Sequence, residues 1–297
     1  MGRAGRAAGR SPGSHTPLKI LVTGASGTLG GHVIRELERG HALRLFSRRH
    51  PRDGAHHLET AHPHIAGDLL DAAAVRRAAE GMDAVAHLGA NPWFSPETFA
   101  TNTVGTYNVL EACRESGIQR FVMAGSDWGV GKSDRRVCPP AAVPVTETDP
   151  VTPRDHYGLS KILNERTAEA YAAEYGIRCA VLRITGVWSP EATDTYAPKN
   201  RSKAAAECAM YWWTYVDARD VARAFRLALE APDLPPYGAY FIAAPDTMID
   251  EPTADAVAKY FPGVPVRGGL GEHGSVLSGV AAQRAFGFTP VHTWRRN

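Results

Sequence analysis

The segment Lys19–Gly30, KILVTGASGTLG, constrains this chain more than any other, because it joins an apolar strand to a helix through a turn that few side chains can enter. Gly24, Gly27 and Gly30 recur at three-residue spacing, and the amphipathic run from Gly31 to Glu38 follows at once. Gly24 and Gly27 let the backbone turn tightly and approach a pyrophosphate, Gly30 lets the helix pack on the sheet, and the helix N-terminus faces the phosphates. Gly24, Ser26, Gly27, Thr28, Leu29 and Gly30 are therefore the candidate dinucleotide turn, with a plain glycine-rich strand-helix turn as the alternative.

Downstream, short apolar runs alternate with helical patterns in the manner of repeated strand-helix-strand units. The alternation predicts strands at 18–23, 42–46, 64–67, 83–88, 120–124 and 178–184, and helices at 29–40, 71–81, 97–116, 155–176 and 217–231. Parallel strands joined by helices cross over right-handedly, so this order builds a doubly wound parallel α/β sheet, a Rossmann fold, with its ligand at the strand carboxyl ends. Beyond Val187 the pattern loosens: 188–213 reads as a long excursion, 238–244 as a further strand, and 251–261 and 278–286 as small helices. The expected organisation is a disordered tail over 1–17, a dinucleotide-binding core over 18–186, and a mainly substrate-binding lobe over 187–297 with some segments returning to the core.

At 297 residues, 44% hydrophobic and 22% charged, the chain has the material for such a core. Its formal charge of +2 falls to −1 once Arg3, Arg6 and Arg10 of the tail are set aside, so composition makes no case for a nucleic-acid partner. The tail, MGRAGRAAGRSPGSHTP, lacks the apolar stretch of a signal or anchor. No window approaches the ~18 apolar residues of a membrane span. Cys113, Cys138, Cys179 and Cys208 are widely separated and form no Cys-x-x-Cys, as expected of reduced thiols in a cytoplasmic protein. His56, His57, His62 and His64 bracket a turn that offers no cysteine or acid at ligand spacing, which argues against a metal.

Three further stretches bear on chemistry. Tyr157-Gly158-Leu159-Ser160-Lys161 sets a phenol and an ammonium four residues apart within a predicted helix, so both project from one face. Taken alone, such a pair is also ordinary helix surface. In a cleft, a neighbouring ammonium favours the phenolate, and a phenol of unperturbed pKa about 10 then trades a proton with a substrate hydroxyl near neutral pH. Ser47, Arg48 and Arg49 end the second strand, where a carboxylate would usually take the adenosine ribose hydroxyls of NAD. Guanidinium forks match a ribose 2′-phosphate instead; an exposed basic turn is the other reading. Asp68 and Leu69 follow the third strand, where Asp68 either accepts from the adenine amino group or, like Asp71, caps the next helix.

Other motifs fall in order around these. They are His87-Leu88-Gly89-Ala90, Asn102 with TVGTYNVL after it, Phe121–Gly131 (FVMAGSDWGVG), Pro144–Pro150 (PVTETDP) and Tyr215–Ala224 (YVDARDVARA). Together they resemble the extended short-chain dehydrogenase/reductase family, the NAD-dependent epimerase/dehydratase group, over nearly all of 18–297, and within it the compact uronate dehydrogenases. The resemblance implies that Ser126 hydrogen-bonds the reacting oxygen and Tyr157 exchanges its proton, while hydride passes between that carbon and the nicotinamide. It further implies that Lys161 binds the nicotinamide ribose, that Asn102 supports the active-site helix and its water, and that Leu88, Gly89 and Ala90 border the cofactor. Helices 97–116 and 155–176 would form a four-helix homodimer interface, as in relatives.

Departures from the family narrow the function. Ser126 is followed by Asp127-Trp128 rather than the Asp-Glu of dehydratases, and Gly186 in LRITGVW stands where nucleotide-sugar epimerases usually carry Asn. Uronate dehydrogenases act with NAD, and Arg48 with Arg49 argues otherwise. Of the aromatics Trp93, Phe94, Trp128, Trp188, Trp212, Trp213 and Tyr215, most also read as core; the candidate substrate wall is Trp93, Ser126, Asp127, Trp128 and Trp188. The sequence thus predicts a cytoplasmic oxidoreductase that moves hydride between NADP(H), with NAD(H) second, and a small-molecule alcohol or carbonyl. The alternatives are a sugar or nucleotide-sugar epimerase that retains NAD(P), and a non-catalytic cofactor-sensing protein, against which Tyr157 and Lys161 speak.

Overall fold

The computed structural model describes residues 16–91, 95–133, 135–195 and 205–295. β1 (Lys19–Thr23) enters α1 (Gly30–Leu37) through the glycine turn, and β2 (Ala42–Ser47), β3 (His64–Ala66), α2 (Ala72–Ala79) and β4 (Ala84–His87) complete the first half. The second half runs through α3 (Pro96–Glu115), β5 (Arg120–Ser126), α4 (His156–Tyr175) and β6 (Arg178–Ile184). There follow a short β7 (Val187–Trp188), α5 (Pro190–Thr195), β8 (Val216–Asp217), α6 (Ala218–Glu230), β9 (Tyr237–Ile242), α7 (Thr253–Tyr260) and α8 (Val280–Phe286).

The main sheet has the order β3-β2-β1-β4-β5-β6-β9, and every pair in it is parallel. This is the doubly wound α/β architecture. The chain moves outward from β1 through β2 to β3, then returns to β4 on the other side of β1. That reversal opens a crevice at the carboxyl ends of β1 and β4, where ligands of such sheets bind.

Period-two alternation explains how both faces are covered. Ile20 and Val22 of β1 point to one side, where they join Val33, Ile34 and Leu37 of α1 and Val221, Phe225 and Leu229 of α6 in one apolar cluster. Leu21 points to the other side and meets Val85, Val75, Leu110, Phe121 and Ala172, beneath α2, α3 and α4. Side chains set the helix ends: Asp71 accepts from the Ala74 N–H at 3.0 Å, Asp155 from the Gly158 N–H at 2.7 Å, and Gly176 closes α4 in the left-handed region at φ 68°.

Within 187–297, β9 is the edge strand of the main sheet, pairing with β6 from Cys179 opposite Tyr237 to Ile184 opposite Ile242, and α6 covers the sheet beside α1. The rest of this part packs with the segment after β5 in one cluster, in which Val143 and Val145 meet Trp212, Trp213, Phe261 and Val276. Of the excursion over 188–213, Pro190–Thr195 is helical and 196–204 lie outside the described residues, as does the tail through residue 15. Among the described residues no helix is long and apolar enough to cross a membrane.

Candidate functional site

A cleft of about 1100 Å³ runs along the carboxyl ends of β1, β2, β4, β5 and β6. Its floor at one end is the glycine turn. Gly24 holds φ +70°, and a Cβ there would sit 2.6 Å from the Gly89 nitrogen; a Cβ on Gly30 would drive into the Ala25 carbonyl. Gly27 has looser surroundings, with only the Gly24 carbonyl oxygen 3.2 Å from an added Cβ, and it borders the cleft directly. The turn is a cradle of bare backbone at the N-terminus of α1, and it fits a pyrophosphate.

Sequence reading missed the loop that pins this turn. The Ala55 N–H donates to the Ser26 carbonyl at 3.0 Å, and the His56 imidazole bonds the Thr28 carbonyl. Asp53, Gly54 and Ala55 thereby become part of the cleft wall. Nothing in the local pattern of 50–58 signals this, since the contacts depend on where β2 delivers the loop.

Arg48 and Arg49 are exposed at the rim of this end, while Ser47 is buried. The Ser47 hydroxyl donates to the Arg49 carbonyl at 2.7 Å and lies 3.1 Å from His64 Nε2, which fixes the path of the arginine turn. Burial lowers the His64 pKa, with His50 opposing its charge as well. Asp68 borders the cleft beside Leu69, but its Oδ1 already accepts from the Leu70 N–H at 2.9 Å; Asp71, not Asp68, caps α2. Leu88, Gly89 and Ala90 line the same wall after β4.

The chemical end lies where β5 meets α4. Ser126, the last residue of β5, shares a hydrogen bond with the Tyr157 phenol, and its Oγ accepts from the Trp128 N–H at 3.2 Å. Lys161, one turn beyond Tyr157, sets its Nζ 5.7 Å from the centre of the phenol ring and donates to the Ala124 carbonyl at 3.0 Å. Asn102 is fully buried outside the cleft; it donates to the Ser160 hydroxyl at 3.0 Å and accepts from the Asn91 N–H at 2.8 Å, tying α3 and the loop after β4 to the helix that carries Tyr157. His87 braces the same region between the Thr23 and Thr106 hydroxyls at 2.7 and 3.1 Å, and burial brings its pKa down to about 3, so it is neutral.

One electrostatic expectation is corrected. Burial, and not the neighbouring ammonium, sets the Tyr157 phenol: it is pushed up to about 12, with the Ser126 hydrogen bond pulling the other way, and Asp127 and Asp155 adding to the rise. Burial likewise brings Lys161 down to about 8, against the pull of Glu165. The phenol is thus a proton donor at neutral pH.

A buried ion pair beside Ser126 also escaped the sequence reading. The Lys132 ammonium bonds Asp127 Oδ2 and donates to the Thr214 hydroxyl at 2.7 Å, and Thr214 in turn stands 2.5 Å from the Thr185 hydroxyl. Burial lowers the Lys132 pKa, and the Asp127 charge opposes that. Trp212 and Trp213 precede Thr214 with φ of 55° and 56°, a left-handed pair that costs of order 1–3 kcal/mol per residue. Each indole holds it in place by donating to a carbonyl, Cys138 at 2.8 Å and Ala205 at 2.7 Å.

The aromatic candidates divide. Trp128 follows Asp127, but its indole N–H donates to Asp155 Oδ2 at 2.5 Å and its ring lies 5.9 Å from Tyr211, so it braces the start of α4 and does not border the cleft. Trp188 is also away from the wall, its ring 4.3 Å from that of Tyr215 in a small cluster with Trp294. Trp93 and Phe94 lie outside the described residues. Among the described residues no three His, Cys, Asp or Glu side chains converge as metal ligands.

Residues 20–243 match the NAD dependent epimerase/dehydratase family. A uronate dehydrogenase of Pseudomonas putida is 36% identical over 56% of this chain, a span that reaches 60% of that protein and so less than two thirds of its length. An L-arabinose 1-dehydrogenase (NAD(P)+) of Haloferax volcanii is 30% identical over 73% of this chain and 85% of its own. Among solved structures, a short-chain dehydrogenase/reductase superfamily protein from Agrobacterium tumefaciens with bound NAD covers 93% of each chain at a TM-score of 0.68 and 24% identity, a likeness of fold.

Proposed function

Because the chain belongs to the NAD dependent epimerase/dehydratase family, we propose that it is an oxidoreductase that exchanges hydride between NADP(H) and a small polyhydroxy alcohol or its carbonyl. The observation that carries the reading is the meeting of Ser126, Tyr157 and Lys161 in the same cleft as the glycine turn. The names of the uronate and arabinose relatives support a sugar-like substrate. NADP(H) rests on Arg48 and Arg49 at the rim and on the lack of an acid at the end of β2.

A bound nicotinamide supplies the hydride acceptor or donor. Gly24, Gly27 and the N-terminus of α1 would hold its pyrophosphate, and Arg48 and Arg49 its 2′-phosphate. Ser126 aligns the reacting oxygen, and Tyr157 gives its proton to a carbonyl or takes one from a hydroxyl. Lys161 keeps positive charge beside the phenol and so eases the passage to phenolate. Asn102, through Ser160, keeps α4 in register with β4. The exposed apolar side chains of α3 and α4 support a homodimer, and the free thiols Cys113, Cys138, Cys179 and Cys208 support a cytoplasmic setting.

A screen of alcohols, aldoses, uronates and their carbonyl products, followed by nicotinamide absorbance with both cofactors, tests the reading. Turnover is expected with NADP(H) and at least one polyhydroxy compound. Tyr157→Phe is then expected to lower turnover by about 10²–10⁴-fold with cofactor binding nearly intact. Near-normal turnover in that variant would remove the assigned acid-base role.

A further inference from the structure

We propose that Asp127 is a specificity-determining residue that receives a hydroxyl of an uncharged polyhydroxy substrate, and that Lys132 positions it and leaves no cation there for a substrate carboxylate. The inference rests on the oxidoreductase reading above. Asp127 directly follows Ser126 and borders the cleft, only 3% exposed. Its Oδ2 receives the Lys132 ammonium and lies 3.5 Å from the Thr214 hydroxyl; among the described residues nothing donates to Oδ1. Asp127 Oδ1 is not among the sealed-off unpaired atoms, and its residue borders the cleft, so it is open to a hydroxyl entering beside Ser126. Thr185, held by Thr214, adds a second hydroxyl to the same wall.

Lys132 is 1% exposed and is not part of the wall. A substrate carboxylate reaches it only by breaking a buried ion pair. The other described cations on the cleft are Arg48 and Arg49, which follow β2 at the opposite end, and Lys161, which is bonded to the Ala124 carbonyl beneath Tyr157. Glu97, in the first turn of α3, and Asp127 are the acids that follow β4 and β5 on this wall. A carboxylate brought against the buried Asp127 sets acceptor against acceptor, and exposed Glu97 adds a like charge at the rim, whereas a hydroxymethyl group meets neither penalty.

The test compares pairs that differ only in a hydroxymethyl or a carboxylate group: galactose with galacturonate, and glucose with glucuronate, each with NADP+ and with NAD+. The neutral sugar of each pair is expected to have kcat/KM at least about tenfold higher. Asp127→Asn alone strands the Lys132 charge, so the paired variant Asp127→Asn/Lys132→Met, which removes both charges at similar volume, is the informative one. Its neutral-to-uronate ratio is expected to fall by about 10–100-fold, with NADPH titration and thermal unfolding reporting an intact fold. Preference of the wild-type protein for the uronates overturns the inference and leaves the oxidoreductase reading standing, as does an unchanged ratio in a folded paired variant. Absence of turnover for all four sugars overturns the sugar-like reading and this inference together. Should the paired variant not fold, the wild-type preference alone decides.

Discussion

Burial brings the Lys161 ammonium from its ordinary 10.5 down to about 8, so the folded chain carries that charge at neutral pH at a cost of about 3 kcal/mol. Below pH 8 the lysine is charged in both folded and unfolded chains and the cost is complete. Between 8 and 10.5 the folded chain has released the proton while the unfolded chain still binds it, so stability rises with pH and the cost fades. Lys161→Met is therefore expected to be more stable than the wild type by about 2–3 kcal/mol at pH 7 and by little near pH 10.5, with catalysis lost. Denaturant unfolding across that range measures it; equal stability at pH 7 would mean that the ammonium is well solvated. At the other end of the cleft, Arg48 and Arg49 are expected to favour NADPH over NADH by roughly 1.5–3 kcal/mol, a preference that Arg48→Ser/Arg49→Ser removes. Calorimetric titration with both forms decides, and equal affinities would leave the arginines as surface charge. At this scale the sequence singled out Ser126, Tyr157, Lys161 and the arginines, which the fold brings to one cleft, because strand ends and i,i+4 spacing are local. It hid the Lys132–Asp127–Thr214–Thr185 chain, whose members are separated by up to 87 positions and meet only in the fold. It also placed Trp128 and Trp188 by their neighbours in the chain, whereas their rings follow Asp155 and Tyr215.

The glycine turn shows how one element divides its residues between folding and binding. A Cβ at Gly30 meets the Ala25 carbonyl carbon and oxygen, backbone that has no room to yield, whereas a Cβ at Gly27 meets only the Gly24 oxygen at 3.2 Å and otherwise projects towards the cleft. Gly30→Ala is expected to destabilise the protein by about 1–3 kcal/mol, and so to lower its Tm by several degrees. Gly27→Ala is expected to leave the Tm nearly unchanged and to weaken nucleotide binding at least about tenfold, by holding the pyrophosphate away from the backbone. Thermal unfolding with and without NADPH separates the two, and equal effects of the two variants on both measurements would refute the division. Elements of this kind were legible because period two and period 3.6 announce themselves within a few residues. The sixth strand falls at Arg178–Ile184 as expected, and the others shift by one or two residues at their ends. What periodicity did not carry was partnership: the run expected at 238–244 is an ordinary apolar strand in sequence, and only tertiary packing makes Tyr237–Ile242 the edge of the main sheet beside β6.

For the whole molecule, the helices on one side of the sheet leave an apolar surface. Phe99, Val104 and Tyr107 of α3 and Leu159 and Leu163 of α4 are each between 38% and 49% exposed, and the two helices lie side by side over the same core. Scattered single apolar residues are normal on a surface, and the homodimer proposed above would draw on this stripe of exposed side chains on two adjacent helices. A two-fold axis across it would pack α3 and α4 against their copies, burying the stripe in a self-complementary interface. The cleft opens at the strand carboxyl ends and does not involve these side chains, so the proposed association would leave cofactor binding intact. Sedimentation of the purified protein is expected to give twice the chain mass of 32.0 kDa. Val104→Glu/Leu163→Glu places charges on both helices and is expected to return the particle to the monomer mass while NADPH titration still saturates. A wild-type protein that sediments as a monomer at micromolar concentration, or a double variant that stays dimeric, would assign the stripe to ordinary surface and move any subunit contact elsewhere.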